Sequence, residues 1–255
     1  MKKLLTFFII AFSISCFAGN EDVGVVLLHG KWAKSTSGLA PLARELESRG
    51  FKVTTPLMPW SDGREYDVDY PTALAEIDAA VKTLKGKGAK RIVVGGQSLG
   101  ANGAIAYAGS GREVDGVILM APGHVPDQGG FRQTVASSVS KAKQLIADGK
   151  ADEKIDFSDS NQGSRKTIFT TPKNYLSYFD PDGLGAMPKS ARAIKTPTPV
   201  LIVMGNQDGL SRFGESYIFN KAPKHPKSAY VTIDSDHFST QTLAIPEVVK
   251  WLESL

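Results

Sequence analysis

The chain predicts one doubly wound α/β domain, a mostly parallel central sheet with helices on both faces and a helical cap insertion. Three observations carry that expectation. Short apolar runs alternate with segments of helical spacing along most of the 255 residues, and strands joined through helices run parallel with right-handed crossovers. The composition is that of an ordinary globular chain, 42% hydrophobic and 22% charged with a single cysteine. At this length one domain buries roughly 70–75% of the surface that its unfolded chain exposes, so a full core is available.

Residues 1–18 stand apart from the alternation. Met1-Lys2-Lys3 is a basic start, Leu4 to Ile14 is nearly all apolar, and Cys16 and Ala18 put small residues at −3 and −1 of a cut after Ala18. This is the layout of a secretory signal peptide. The run is shorter than the roughly 20 apolar residues a spanning helix needs, so no stable membrane span is expected. The expectation is an exported protein, periplasmic or secreted, with its folded domain over residues 19–255. The alternative is a lipid anchor on Cys16, although Ser13 stands where such anchors usually carry leucine. A cut after Ala18 removes the only cysteine and leaves a domain with no disulfides.

From Val23 the elements follow in order. Val23–His29 is a continuous apolar run ending in His29-Gly30, as expected of a strand buried on both faces. Leu39, Leu42, Ala43 and Leu46 fall at helical spacing, with Gly50 as the stop. Phe51–Leu57 reads as a second strand. Pro71 opens a helix that sets Leu74, Ile77, Ala80, Val81 and Leu84 on one face. Arg91–Gly96 is a third strand, Leu99 to Ala108 a helix of small residues, and Val114–Met120 a fourth strand. Between about residues 122 and 197 the alternation breaks. Phe131, Val135, Val139, Ala142, Leu145 and Ile146 make one amphipathic helix, but no strand is expected after it. The polar stretch Gly149–Arg165 and the Pro- and Gly-bearing stretch Thr171–Pro188 read as an inserted cap. Alternation resumes at Val200–Met204 and Ala229–Ile233 and closes with a helix over Ile245–Leu255.

The sequence feature with most chemical content is Gly96-Gln97-Ser98-Leu99-Gly100. A bare G-x-S-x-G match is weak evidence, but this one sits directly between an apolar strand and a helix. A serine on such a turn projects its hydroxyl above the sheet, and the glycines let strand and helix approach. Leu99 opens the helix, so its N–H points at developing negative charge where the helix dipole favours it. A serine hydroxyl needs a base to take its proton. Of the four histidines only His237 follows the last predicted strand, in a loop able to return to the strand ends. A carboxylate must then hold the imidazole, and Asp208, just after Val200–Met204, fits; Asp182 and Asp234 are alternatives. Asp236 is a poor choice, being adjacent to the histidine it would have to face.

With Ser98, Asp208 and His237 in that chain order, the sequence resembles the α/β-hydrolase family, specifically its small exported members of unassigned activity, over essentially the whole chain after residue 18. The resemblance implies serine-nucleophile hydrolysis through an acyl-enzyme, with Ser98 as nucleophile, His237 as general base then acid, and Asp208 as the orienting carboxylate. His29-Gly30 is similar to the family's oxyanion turn, so the N–H of Lys31 would join that of Leu99, with Trp32 as the other candidate donor. One departure is that no strand is predicted before Val23.

His29 reads as a structural residue of the turn, His225 as solvated loop, and His124 as a residue that either lines the cleft or is structural. Trp60 and Tyr66, after the second strand, stand on the rim where ligands of such sheets bind; with Trp32 they form a candidate substrate wall, the alternative being a packed loop. The outer face of the cap helix carries Arg132, Gln133, Lys141 and Lys143, which favours small or moderately polar esters over long-chain lipids. A formal net charge of +4 with no block of like charges argues against nucleic acid. No Cys/His cluster or phosphate loop occurs, so neither metal nor organic cofactor is implied, and nothing sets the oligomeric state. The expected partner is a small-molecule ester. An amidase or peptidase with the same three residues, and a non-catalytic binding protein on the same scaffold, are the competing readings.

Overall fold

The computed structural model describes residues 19–195 and 198–255. The proposed leader and Cys16 lie outside the described residues. In chain order the elements are β1 (Val23–Leu28), α1 (Ala40–Ser48), β2 (Lys52–Thr54), α2 (Tyr70–Gly86), β3 (Arg91–Gln97), α3 (Leu99–Gly109), β4 (Gly116–Met120), α4 (Gly129–Ala147), β5 (Ile155–Asn161), β6 (Ser164–Thr170), α5 (Pro172–Phe179), α6 (Met187–Ala193), β7 (Val200–Gly205), α7 (Gly214–Tyr217), β8 (Ala229–Ile233), α8 (Thr240–Leu243) and α9 (Ile245–Glu253).

Six strands form one sheet in the order β2-β1-β3-β4-β7-β8, every neighbouring pair parallel. Side chains alternate across a strand, and in β1 both sets are apolar. Val26 and Leu28 enter one core with α2, α3 and the cap, while Val25 and Leu27 enter a second with α1 and α9. Burying each such side chain contributes about 1.5–3 kcal/mol relative to exposure. This is why the run carries no polar stripe. β2 stops at Thr54, short of the expected Leu57: Pro56 has no N–H to give a ladder, and this is an edge strand. Among the described residues no strand precedes β1, and no helix is long and apolar enough to cross a membrane.

Helix α3 is buried along nearly its whole length because its small residues let neighbours close in on every side. A Cβ on Gly103 would stand 2.8 Å from Trp60 Cη2, and one on Gly109 would meet the Ser190 carbonyl of α6. The residues between β4 and β7 leave the sheet and form the cap.

One expectation for the cap is corrected. Strands do follow the cap helix: β5 and β6 pair antiparallel, from Ile155 opposite Thr170 to Asn161 opposite Ser164. Gln162 and Gly163 turn the hairpin with φ of +46° and +81°, the left-handed pair that a two-residue turn needs. The period-two pattern is there, with Phe157 and Asp159 buried and Ser158 exposed, but one of its inward residues is a carboxylate. The hairpin rests on α4 and α5 through an aromatic row: Phe157 on Tyr175 at 4.4 Å, Tyr175 on Phe179 at 4.1 Å, and Phe179 on Phe131 at 6.2 Å between ring centroids. Arg132, Gln133, Lys141 and Lys143 face outward from α4.

Candidate active site

The C-terminal ends of the parallel strands carry the site. Ser98 turns the chain between β3 and α3 with φ +57° and ψ −119°, a conformation that costs a non-glycine residue about 1–3 kcal/mol and persists only where the surroundings enforce it. The flanking glycines allow it. A Cβ on Gly96 would lie 2.5 Å from both the Leu28 carbonyl oxygen and the Gly100 carbonyl carbon, and one on Gly100 would collide with Leu28. A Cβ on Gly123, after β4, would come within 2.8 Å of Ser98 Oγ and 3.2 Å of His237 Cε1. The ends of β1, β3 and β4 thus close around this turn.

His237 Nδ1–H donates to Asp208 Oδ2 over 2.7 Å, and its Nε2 accepts from Ser98 Oγ–H over 2.9 Å. Asp208 follows β7 and is buried; its Oδ1 accepts the Leu210 N–H at 2.9 Å. With Nδ1 committed to the carboxylate, the imidazole presents an unprotonated Nε2 to the serine. Asp182 and Asp234 are exposed and have no bond to His237. Asp236 instead orders the loop, accepting the N–H groups of Phe238 and Ser239 and the Ser239 hydroxyl. Gln97, in the motif but not singled out in the sequence, donates from Nε2 to the His237 carbonyl at 2.9 Å. It ties the motif's own strand to the loop that brings the imidazole.

The turn after β1 lies against Ser98: a Cβ on Gly30 would be 3.4 Å from Ser98 Cβ. His29 is structural. Its Nδ1–H donates to the Gly30 carbonyl at 2.8 Å, its Nε2 accepts the Met58 N–H at 2.9 Å, and burial pushes its pKa below the usual 6.5. Among the described residues the backbone N–H groups of Lys31 and Leu99 donate to nothing, while that of Trp32 is spent on the Trp60 carbonyl at 2.9 Å. Trp32 is therefore set aside as an oxyanion donor. It also sits at φ +58°, a left-handed conformation for a bulky residue.

Two cavities open on this turn and share Lys31, Asn161 and Gln162. One, of about 280 Å³, holds Ser98 with His124, Val125, Gln128, Phe131, Leu210 and Arg212. The other, of about 430 Å³, holds Trp32, Leu39, Gln97, Phe238 and Gln241. Trp32 thus lines the second cavity, not the one that holds Ser98, and Trp60 and Tyr66 line neither. Trp60 is fully buried, packed on Gly103 with its Nε1–H on the His29 carbonyl at 2.7 Å. Tyr66 is fully buried between Tyr178 and Phe179 with its hydroxyl on Asp159 Oδ2 at 2.7 Å. Both are walls of the core rather than of the cleft, because α3 and the cap close over the loop that bears them.

His124 lines the Ser98 cavity but is held by the cap, its Nε2–H donating to the Tyr178 carbonyl at 2.9 Å. Burial, and then the nearby Lys31 ammonium, push its pKa well below 6.5. Asp159, which sequence reasoning passed over, is fully buried in the hairpin and accepts Lys31 Nζ at 2.6 Å and Trp32 Nε1 at 2.8 Å. Among the described residues no three His, Cys, Asp or Glu side chains gather as a metal site.

The model of the alpha/beta hydrolase family matches residues 25–248. No curated protein matches the chain. Among solved structures, one of the metagenome-derived lipolytic enzymes LipS and LipT superposes with a TM-score of 0.66 at 16% identity, covering 92% of this chain and 95% of that one. A Paleococcus ferrophilus monoacylglycerol lipase superposes at 0.63 with 22% identity, covering 91% and 94%. Est1E from Butyrivibrio proteoclasticus with ferulic acid bound superposes at 0.63 with 17% identity, covering 93% and 90%. At these identities the likeness is one of fold.

Proposed function

This chain belongs to the alpha/beta hydrolase family, and from that premise we propose that it is a serine hydrolase that cleaves a carboxylic ester through an acyl-enzyme on Ser98. The observation that carries the reading is the hydrogen-bonded line Ser98 Oγ, His237, Asp208, at 2.9 and 2.7 Å. Ser98 Oγ attacks the acyl carbonyl carbon while its proton passes to His237 Nε2. Asp208 stabilises the imidazolium that forms and fixes its orientation. The carbonyl oxygen takes up negative charge toward the N–H groups of Lys31 and Leu99, the latter at the N-terminus of α3. Collapse of the tetrahedral centre breaks the bond to the alcohol, which leaves with the proton from Nε2. Water then gives a proton to His237 Nε2 and attacks the acyl carbon; collapse of that second tetrahedral centre breaks its bond to Ser98 Oγ, which takes the proton back from Nε2 as the carboxylic acid is released.

The two cavities flanking Lys31, Asn161 and Gln162 suit an acyl part on one side and an alcohol on the other. Their linings are more apolar than polar, but Gln128, Asn161, Gln162 and Arg212 set polar groups among them, which favours a small or moderately polar ester. The fold neighbours described as lipolytic or as binding ferulic acid support ester chemistry. The basic and apolar start of the chain supports export to the periplasm or medium, where such an ester would be met.

A fluorophosphonate probe tests the reading, since it loses fluoride to an activated serine. The native protein is expected to label and Ser98→Ala is not. Equal labelling of both, or of neither, overturns it. A panel of esters of graded acyl length beside matched amides then identifies the bond cleaved.

A further inference from the structure

The buried Asp159 belongs to the cap, yet two of its four partners belong to the turn after β1. Oδ1 accepts Lys31 Nζ at 2.6 Å and its neighbour Ser160 N–H at 2.7 Å; Oδ2 accepts Trp32 Nε1 at 2.8 Å and the Tyr66 hydroxyl at 2.7 Å. Four donors saturate a carboxylate. Lys31 Nζ also donates to the Ser160 carbonyl at 2.9 Å and stands 4.8 Å from the centre of the Phe131 ring. Both Lys31 and Asp159 side chains are all but inaccessible to water, at 2% and 0% exposure. An ammonium and a carboxylate are costly to bury, and an apolar pair of the same size would do as well or better for stability alone. Their position suggests what they are for. The backbone they hold is that of Lys31 and Trp32, where Trp32 sits in a left-handed conformation that needs enforcement from its surroundings.

We propose that Asp159 is a positioning residue for the oxyanion site: from the cap hairpin it grips Lys31 Nζ and Trp32 Nε1 and so holds the Lys31 N–H toward Ser98. This rests on the serine-hydrolase reading above. The cap is then part of the catalytic apparatus, and the turn is correctly set only while the hairpin is docked. Tyr66 supplies an internal control, because its hydroxyl reaches the same Oδ2 without touching the turn.

The test compares Asp159→Asn, Trp32→Phe and Tyr66→Phe by the second-order rate of fluorophosphonate labelling, by kcat and KM on short-chain p-nitrophenyl esters, and by thermal melting. A misplaced oxyanion donor costs about 10²–10³ in rate. Asp159→Asn is expected to lose about 100-fold in labelling rate and kcat, with KM within threefold and the pH profile of kcat/KM unmoved, and Trp32→Phe to lose as much in labelling rate and kcat. Tyr66→Phe is expected to lose less than tenfold. If Asp159→Asn does not fold, Trp32→Phe carries the comparison. Folded Asp159→Asn or Trp32→Phe protein within threefold of the native rate overturns the inference, as does a loss in Tyr66→Phe equal to that in Trp32→Phe. Either result with Ser98 still labelling leaves the serine reading intact; absence of Ser98-dependent labelling in the native protein removes both.

Discussion

Two carboxylates are buried within the same cleft region and are held in opposite ways. Asp208, at the end of β7, faces a histidine ring and one backbone N–H. Asp159, in the cap, is packed by four donors, one of them a full cation. A carboxylate that must respond when its neighbour gains a proton is sparsely held, while one that must keep a turn rigid is saturated. On the function proposed above, the same chemical group separates into an electrostatic role and a mechanical one according to how many donors surround it.

Substitution at the two sites should separate activity from stability. Asp208→Asn is expected to lower turnover by up to about 10⁴-fold, the cost of losing the orienting charge in such a triad, while thermal melting shifts little. An Asn variant at native rate would end the division of roles at that residue. Asp159→Asn should be the reverse in stability: it leaves Lys31 a buried cation without its counter-ion, which costs about 3–5 kcal/mol, readable by urea unfolding. The double variant Asp159→Leu with Lys31→Met should recover most of that stability but not the reaction rate. Recovery of both would reduce the pair to core packing.

The smallest expected effect is on pH. His29 and His124 both have pKa values held below 6.5, chiefly by burial. The unfolded chain takes up those protons near pH 6.5 and the native state does not, so unfolded protein binds more protons and stability falls as pH drops below that point. The melting temperature should decline from pH 7.5 to 5.5, with a shallower slope in His124→Phe. Identical slopes would place the acid sensitivity elsewhere.

The meeting of Ser98, His237 and Asp208 was legible in the sequence because a parallel α/β sheet delivers the C-terminal ends of its strands to one rim. Ser98, Asp208 and His237 each follow an apolar run, so their meeting is implied by topology before any coordinate is known. The cap obeys no such rule. Its hairpin alternates in period two, but with Asp159 rather than an apolar residue at an inward position, so the stretch reads as a polar part of the cap rather than as strands. Trp60 and Tyr66 follow the second strand, as read, but they are buried in the core, and that burial depends on Gly103 and on the cap aromatics, contacts between segments far apart in the chain. Gln97 was in plain sight, and only the position of the His237 carbonyl reveals its use.

The seam between β4 and β7 has a kinetic consequence. Met120 and Val200 flank the whole cap, so the sheet is completed only by joining segments separated by a long excursion of chain, and such distant pairings form slowly. Ser98 arrives with the first half of the sheet, whereas Asp208 and His237 arrive with the second. Recovery of fluorophosphonate reactivity during refolding should therefore lag behind the regain of helical signal, reporting the closing of that seam rather than the collapse that precedes it.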